Sequence, residues 1–247
     1  LKVLDFGLAR VTERKRSPTK PGTILGTPDY MAPEQVKAIE VDEQADVYAA
    51  GSIAFRLLTD KLPFIGKTGF IVVDTLTARE SAAAALAFAR KHLGDKPVSA
   101  IVFTHSHADH FGGALCVATA KEVAERKIPV IASAGFIEEA TSENILVGTA
   151  MARRSMYQFG KNLVPSAKGI VDTGLGKNVA YGAIGILAPT QLITQPTQEL
   201  VLDGVRFVFH NVPGAEAPAE LTFSIPDRKA YGGAENLAQT MHNLLPV

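Results

Sequence analysis

From Gly69 onward, the chain alternates two apolar patterns. "GFIVVD" (69–74), "VSAIVFT" (98–104) and "IPVIAS" (128–133) are short, continuous apolar runs. Runs of this length suit strands buried on both faces. Helical stretches lie between them: "TARESAAAALAFARKHLG" (77–94) and "GGALCVATAKEVAERK" (112–127). Thr77 and Glu80 stand at capping-box spacing at the start of the first, and Gly94 is its stop. "SENILVGTAMARRSMYQFG" (142–160) reads as another long helix. "QELVLDGVRFVFHNV" (198–212) alternates as a β-hairpin with Asp203-Gly204 at its turn, and "AELTFSIP" (219–226) is a further strand. Strand and helix in alternation predict an α/β domain with a mostly parallel sheet covered on its faces.

The first 66 residues have a different pattern. "LKVLDFG" predicts a short strand and turn. A polar loop with a basic run and three prolines spans 9–28. An apolar helix then follows in "DVYAAGSIAFRLLTD" (46–60), with Val47, Ile53, Ala54, Leu57 and Leu58 near helical spacing. Two units are expected, 1–66 and 67–247.

Composition narrows the chemistry. The 25 basic and 25 acidic side chains give no electrostatic case for nucleic acid or an anionic membrane. No apolar run reaches the roughly 20 residues of a spanning helix. With no signal peptide in the sequence, the cytoplasm is the default expectation. The single cysteine, Cys116, excludes an intrachain disulfide and a cysteine-based zinc site.

Three of the six histidines fall in "FTHSHADHFGG" (103–113), where a buried strand ends and a helix begins. Ligands collect at the carboxyl ends of strands in α/β sheets. His105 and His107, two apart, can point the same way from an extended loop. Asp109 and His110 sit one turn further on, aimed at a neighbouring point. Imidazole with carboxylate suits zinc and similar divalent ions, and two such sets side by side suggest a two-metal site. Gly112 and Gly113 would let the backbone approach the ions.

"THSHADHFGG" resembles the first metal motif of the metallo-β-lactamase superfamily. The flanking "GFIVVDTLT", "GFIEEATSENILVGTAMARRSMYQFG", "PGAEAPAELTF" and "AENLAQTMHNL" resemble its alkylsulfatases. The resemblance covers about 67–247 and implies a metallo-β-lactamase-like αββα sandwich, incomplete at both ends. It implies a zinc-dependent hydrolase of alkyl sulfate esters such as dodecyl sulfate, working through a metal-activated water. His105 and His107 would bind the first zinc, Asp109 and His110 the second. Glu216 would be a further ligand, and Glu235 would be shared between the ions. Read without the family, Glu216 and Glu235 are ordinary solvated loop carboxylates. Arg153 and Arg154 could hold the sulfate but read as structural residues on a helix. The family's further metal-binding histidine, its helical dimerisation region and its sterol-carrier-like domain are expected beyond Val247. The second zinc is therefore expected to be weakly held and hydrolysis to be impaired.

"DFG" at 5–7, "GTPDYMAPEQ" at 26–35 and "ADVYAAGSIAFRLLTDKLPFIGKT" at 45–68 resemble the C-lobe of a bacterial-type serine/threonine protein kinase. The resemblance implies a mainly helical and loop fragment in which Asp5 would hold magnesium and Thr19 and Thr23 would lie in the activation loop. The family's phosphate loop, nucleotide-positioning lysine and catalytic loop are not in the sequence, so kinase activity is not expected. The alternative to the sulfatase reading is a catalytically dead, kinase-derived interaction module, or a mis-joined reading frame without joint function.

Overall fold

The computed structural model of the protein describes residues 65–160, 162–164, 166 and 181–236. Four strands, β1 (Phe70–Val73), β2 (Val98–Val102), β3 (Val130–Ser133) and β4 (Gln191–Ile193), form a parallel sheet in that order. Four more, β5 (Thr197–Leu202), β6 (Val205–Asn211), β7 (Leu221–Ile225) and β8 (Ala230–Gly232), form an antiparallel sheet. The expected hairpin is the β5–β6 pair, and Gly204 takes the left-handed backbone its turn needs (φ 75°).

The apolar run of β2 has its explanation in two cores. Ile101 and Phe103 pack with Val130, Ala132, Phe136 and the helices on one side of the parallel sheet. Ala100 and Val102, pointing the other way, pack with Ile131, Ile193, Phe207, Phe209, Leu221 and Phe223 between the two sheets. A strand with apolar neighbours on both faces reads as a nearly continuous apolar run, and its one polar side chain, Ser99, donates to the Phe70 carbonyl oxygen at 3.2 Å. Phe103 and Phe136 stack with ring centroids 5.1 Å apart, which fixes the strand end from which the histidine loop departs.

The helices depart from expectation in three places. First, α1 (Arg79–Leu93) starts after Thr77, and the Glu80 carboxylate accepts the Ala183 amide at 3.0 Å instead of closing a capping box. Second, after a short α2 (Ala108–Phe111), the single helix expected over 112–127 is two short ones: α3 (Ala114–Val117) and α4 (Ala120–Arg126). The break falls at Ala118, which is extended, and Thr119 restarts the helix with a capping box to Glu122. The local signal at Thr119 wins over the apolar period. Third, the long helix expected from Ser142 is divided. After α5 (Phe136–Thr141) comes a π-helical turn, Ser142–Leu146, and then α6 (Gly148–Gln158).

Packing requires Gly112 and Gly113. A Cβ on Gly113 would overlap the Thr75 carbonyl oxygen and the Ala82 methyl group; one on Gly112 would overlap the Thr77 carbonyl oxygen. These glycines seat the histidine loop against the turn that follows β1. Since the obstacles are mostly backbone, Gly113→Ala should lower stability by about 1–3 kcal/mol, read as a lower urea midpoint at unchanged slope. A variant as stable as the parent would refute that packing role.

Candidate metal centre

Four chain segments converge at the C-terminal ends of β1 and β2. The loop after β2 brings His105 and His107, and α2 brings Asp109 and His110. Glu216 comes from the loop between β6 and β7, and Glu235 from the segment after β8. The ligand atoms of His105, His107, Glu216 and Glu235 lie within 4.8 Å of one another, as do those of Asp109, His110 and Glu235. The six residues singled out in the sequence as zinc ligands thus come together, in two groups that share Glu235. Its Oε2 lies 3.7 Å from His105 Nε2, and its Oε1 lies 3.7 Å from His110 Nε2.

Each imidazole has one nitrogen turned inward and one turned to an oxygen. His105 Nδ1 is 3.0 Å from Thr104 Oγ1, and that hydroxyl donates to Asp74 Oδ2 at 2.7 Å. With its proton committed to Asp74, the Thr104 oxygen is left to accept from His105 Nδ1–H. His107 Nε2 is 3.3 Å from Glu143 Oε1, and His110 Nδ1 is 2.8 Å from Asp74 Oδ2. Outer acceptors of this kind set the tautomer and aim the other nitrogen's lone pair inward. Asp74, Thr104 and Glu143 were not found by sequence reasoning. A strand-ending aspartate before a turn was the available signal for Asp74, which also holds the Thr104 amide at 2.8 Å. It does so from a left-handed backbone (φ 55°) that aspartate tolerates better than most residues.

The donor set fits a divalent ion. His105 Nε2 and His107 Nδ1 face each other at 3.0 Å, and Glu216 Oε2 lies 3.4 and 3.1 Å from them. The edge of a tetrahedron around zinc, with bonds near 2.05 Å, is roughly 3.3 Å. Two inward lone pairs beside a carboxylate oxygen at that spacing call for a cation between them. Electrostatics agree. Burial lowers the His107 pKa, but Glu143 and Glu216 outweigh it and push it up to about 10. At His110 the same burial effect is overcome, chiefly by Asp74 and Glu235, and the pKa rises to about 11. The carboxylates around these rings demand positive charge, as protons or as metal. His105 is fully buried, and Asp109 is the open edge, its side chain 46% exposed.

Arg153 and Arg154 are exposed on α6. Asp5, Thr19, Thr23 and the rest of the kinase-like segment before Ile65 lie outside the described residues, as does His242. Among the described residues, no helix is long and apolar enough to cross a membrane.

The chain is similar to known proteins over two stretches. The chain is 43% identical over 179 residues to the alkyl/aryl-sulfatase BDS1 of Saccharomyces cerevisiae, across 72% of this chain and 28% of that protein. It superposes on the solved structure of the stereoselective inverting sec-alkylsulfatase Pisa1 from Pseudomonas sp. with a TM-score of 0.62 and 43% identity, covering 65% of this chain and 26% of that one. The chain thus spans little more than a quarter of the length of these relatives. At the other end, it is 53% identical over 64 residues to the serine/threonine-protein kinase Pkn1 of Myxococcus xanthus, across 26% of this chain and 9% of that protein. Residues 1–102 match the protein kinase domain model. The match that includes the parallel sheet, the histidine loop and the β5–β6 hairpin spans residues 64–210, and by it the chain belongs to the metallo-beta-lactamase superfamily.

Proposed function

We propose that residues 67–247 are the metal-binding part of a zinc-dependent hydrolase of alkyl sulfate esters, with a kinase-like segment preceding it. His105, His107 and Glu216 would hold one ion, Asp109 and His110 a second, and Glu235 would be shared. The observation that carries this reading is the convergence of three inward imidazole nitrogens and three carboxylates from separate segments, at spacings suited to zinc. The substrate class rests on the similarity to proteins described as alkylsulfatases.

When bound, zinc would supply a nucleophile from water at neutral pH and positive charge opposite the sulfate. The protein's own part is positional. Thr104, Glu143 and Asp74 keep the outer imidazole protons in place, so that the inner nitrogens remain lone-pair donors. The buried walls around His105 exclude bulk water, while the exposed edge at Asp109 leaves an approach for an anionic ester. Water is consumed, the ester link is cut, and an alcohol and hydrogen sulfate leave.

The two groups should fill unequally. The first offers four donors, the second three, and one of those three is the exposed Asp109. Stepwise zinc titration with a competing chromophoric chelator should show a tight equivalent followed by a weaker one, alongside sulfate release from dodecyl sulfate. Folded protein that takes up no zinc would overturn the metal reading. Zinc uptake with no release of sulfate from any alkyl sulfate would overturn the substrate class.

A further inference from the structure

The loop carrying Glu216 and the segment carrying Glu235 meet at a residue outside the ligand set, Glu220. Its side chain is completely buried. Oε2 accepts the backbone amides of Glu216 at 2.7 Å and Ala217 at 2.9 Å. Oε1 accepts the side-chain amide of Asn236 at 2.6 Å. The loop over 212–220 closes on itself, with the Gly214 amide bonded to Ala217 O and the Val212 amide to Glu220 O. The amides of 216 and 217 therefore turn inward, where no strand can pair them. A buried amide needs an acceptor, and a buried carboxylate needs donors. Each supplies the other.

Glu220 is also tied to the histidine loop. Its backbone bridges His105, and the next amide, Leu221, donates to Thr104 O at 2.8 Å. One residue is thus bonded to the backbone of Glu216 and to the neighbour of Glu235, and is paired with His105 beside the Leu221–Thr104 bond. We propose that Glu220 is the positioning residue of the metal centre, fixing Glu216 and Glu235 relative to His105 through hydrogen bonds and not through its charge. The inference rests on the zinc reading above.

Zinc affinity of Glu220→Ala, Glu220→Gln and the parent chain tests it, with circular dichroism as a check on folding. An alanine leaves both loops free, so affinity should fall by about 10- to 100-fold, the range for residues that orient metal ligands. A glutamine oxygen can still accept both amides, and Asn236 can turn its own oxygen to the new amide. Glu220→Gln should therefore stay within about threefold of the parent. The visible spectrum of the cobalt-substituted protein should broaden in the alanine variant and be restored in the glutamine variant. If Glu220→Ala does not fold, Asn236→Ala, at an exposed residue, removes the Glu235 arm alone and must weaken the second zinc. Parent-like affinity in a folded Glu220→Ala, a glutamine variant as weak as alanine, or an unchanged second zinc in Asn236→Ala would each overturn the proposal. A folded parent without zinc affinity would instead overturn the reading beneath it.

Discussion

Replacing His105 with alanine should abolish tight zinc binding and with it any sulfate release. His105 is the one fully buried ligand, and its Nε2 faces His107, Glu216 and Glu235 at 3.0, 3.4 and 3.7 Å. Removing it takes the first group from four donors to three and leaves a cavity where the ring was. Orienting residues outside the ligand set are worth about 10–100-fold in affinity, so loss of this ligand should exceed that range. The fold should survive, because Phe103 and the apolar faces of β2 anchor the strand independently of the ring. Elemental analysis of the purified variant beside the parent, with near-ultraviolet circular dichroism, reads both effects. A folded His105→Ala protein that keeps a tight zinc would refute the assignment of the first group.

The second large effect is expected at Asp74, which is not a ligand. Its carboxylate accepts the Thr104 amide at 2.8 Å, the Thr104 hydroxyl at 2.7 Å and His110 Nδ1 at 2.8 Å. In Asp74→Ala the His110 ring loses its orienting partner, the Thr104 amide loses its acceptor, and the Thr104 hydroxyl no longer has a reason to accept from His105. Loss of a partly buried, charge-assisted cluster costs about 3 kcal/mol, and alanine suits the left-handed backbone at this position poorly. Urea unfolding should show that loss, and zinc titration should show the weaker equivalent reduced about 10- to 100-fold. Asp74→Asn tolerates the backbone and keeps one acceptor oxygen, so it should fall between. Parental stability and an intact second equivalent in Asp74→Ala would refute this role.

The sequence carried the parts of the fold that depend on local pattern. The apolar runs at 69–74, 98–104 and 128–133 are β1, β2 and β3, and the Asp203-Gly204 turn is where the hairpin folds. Patterns failed where one local signal competed with another. Thr119 capped a new helix inside an apolar period that favoured continuation, and Glu80 found the Ala183 amide, 103 residues away, in place of Thr77. The site shows the same division. His105, His107, Asp109 and His110 are legible because chemistry and spacing coincide in six positions. Glu216 and Glu235 needed the family resemblance. Asp74 had only its place at a strand end as a signal, and Glu143 and Glu220 carry no distinguishing neighbours, since their work is done against residues remote in sequence, or, for Glu220, inside a loop whose closure no pattern reveals. The packing role of the glycines at 112 and 113 was not legible, because the crowding comes from the turn after β1, which only the folded chain brings near.

The sharing of the centre between two sheets governs the order in which it can be assembled. His105 belongs to the end of the parallel sheet, whereas Glu216 and Glu235 arrive with the antiparallel one, and Glu235 lies 130 positions beyond His105 (235 − 105). A chain emerging amino end first exposes its histidines long before Glu216 and Glu235 exist. The full donor set comes into being only when the second sheet docks across Phe207, Phe209 and Phe223. Closure of so long a loop is slow relative to local helix formation, which places complete metal capture among the last events of folding. The ion would act as a latch on a finished sandwich, not as a nucleus around which the chain collapses.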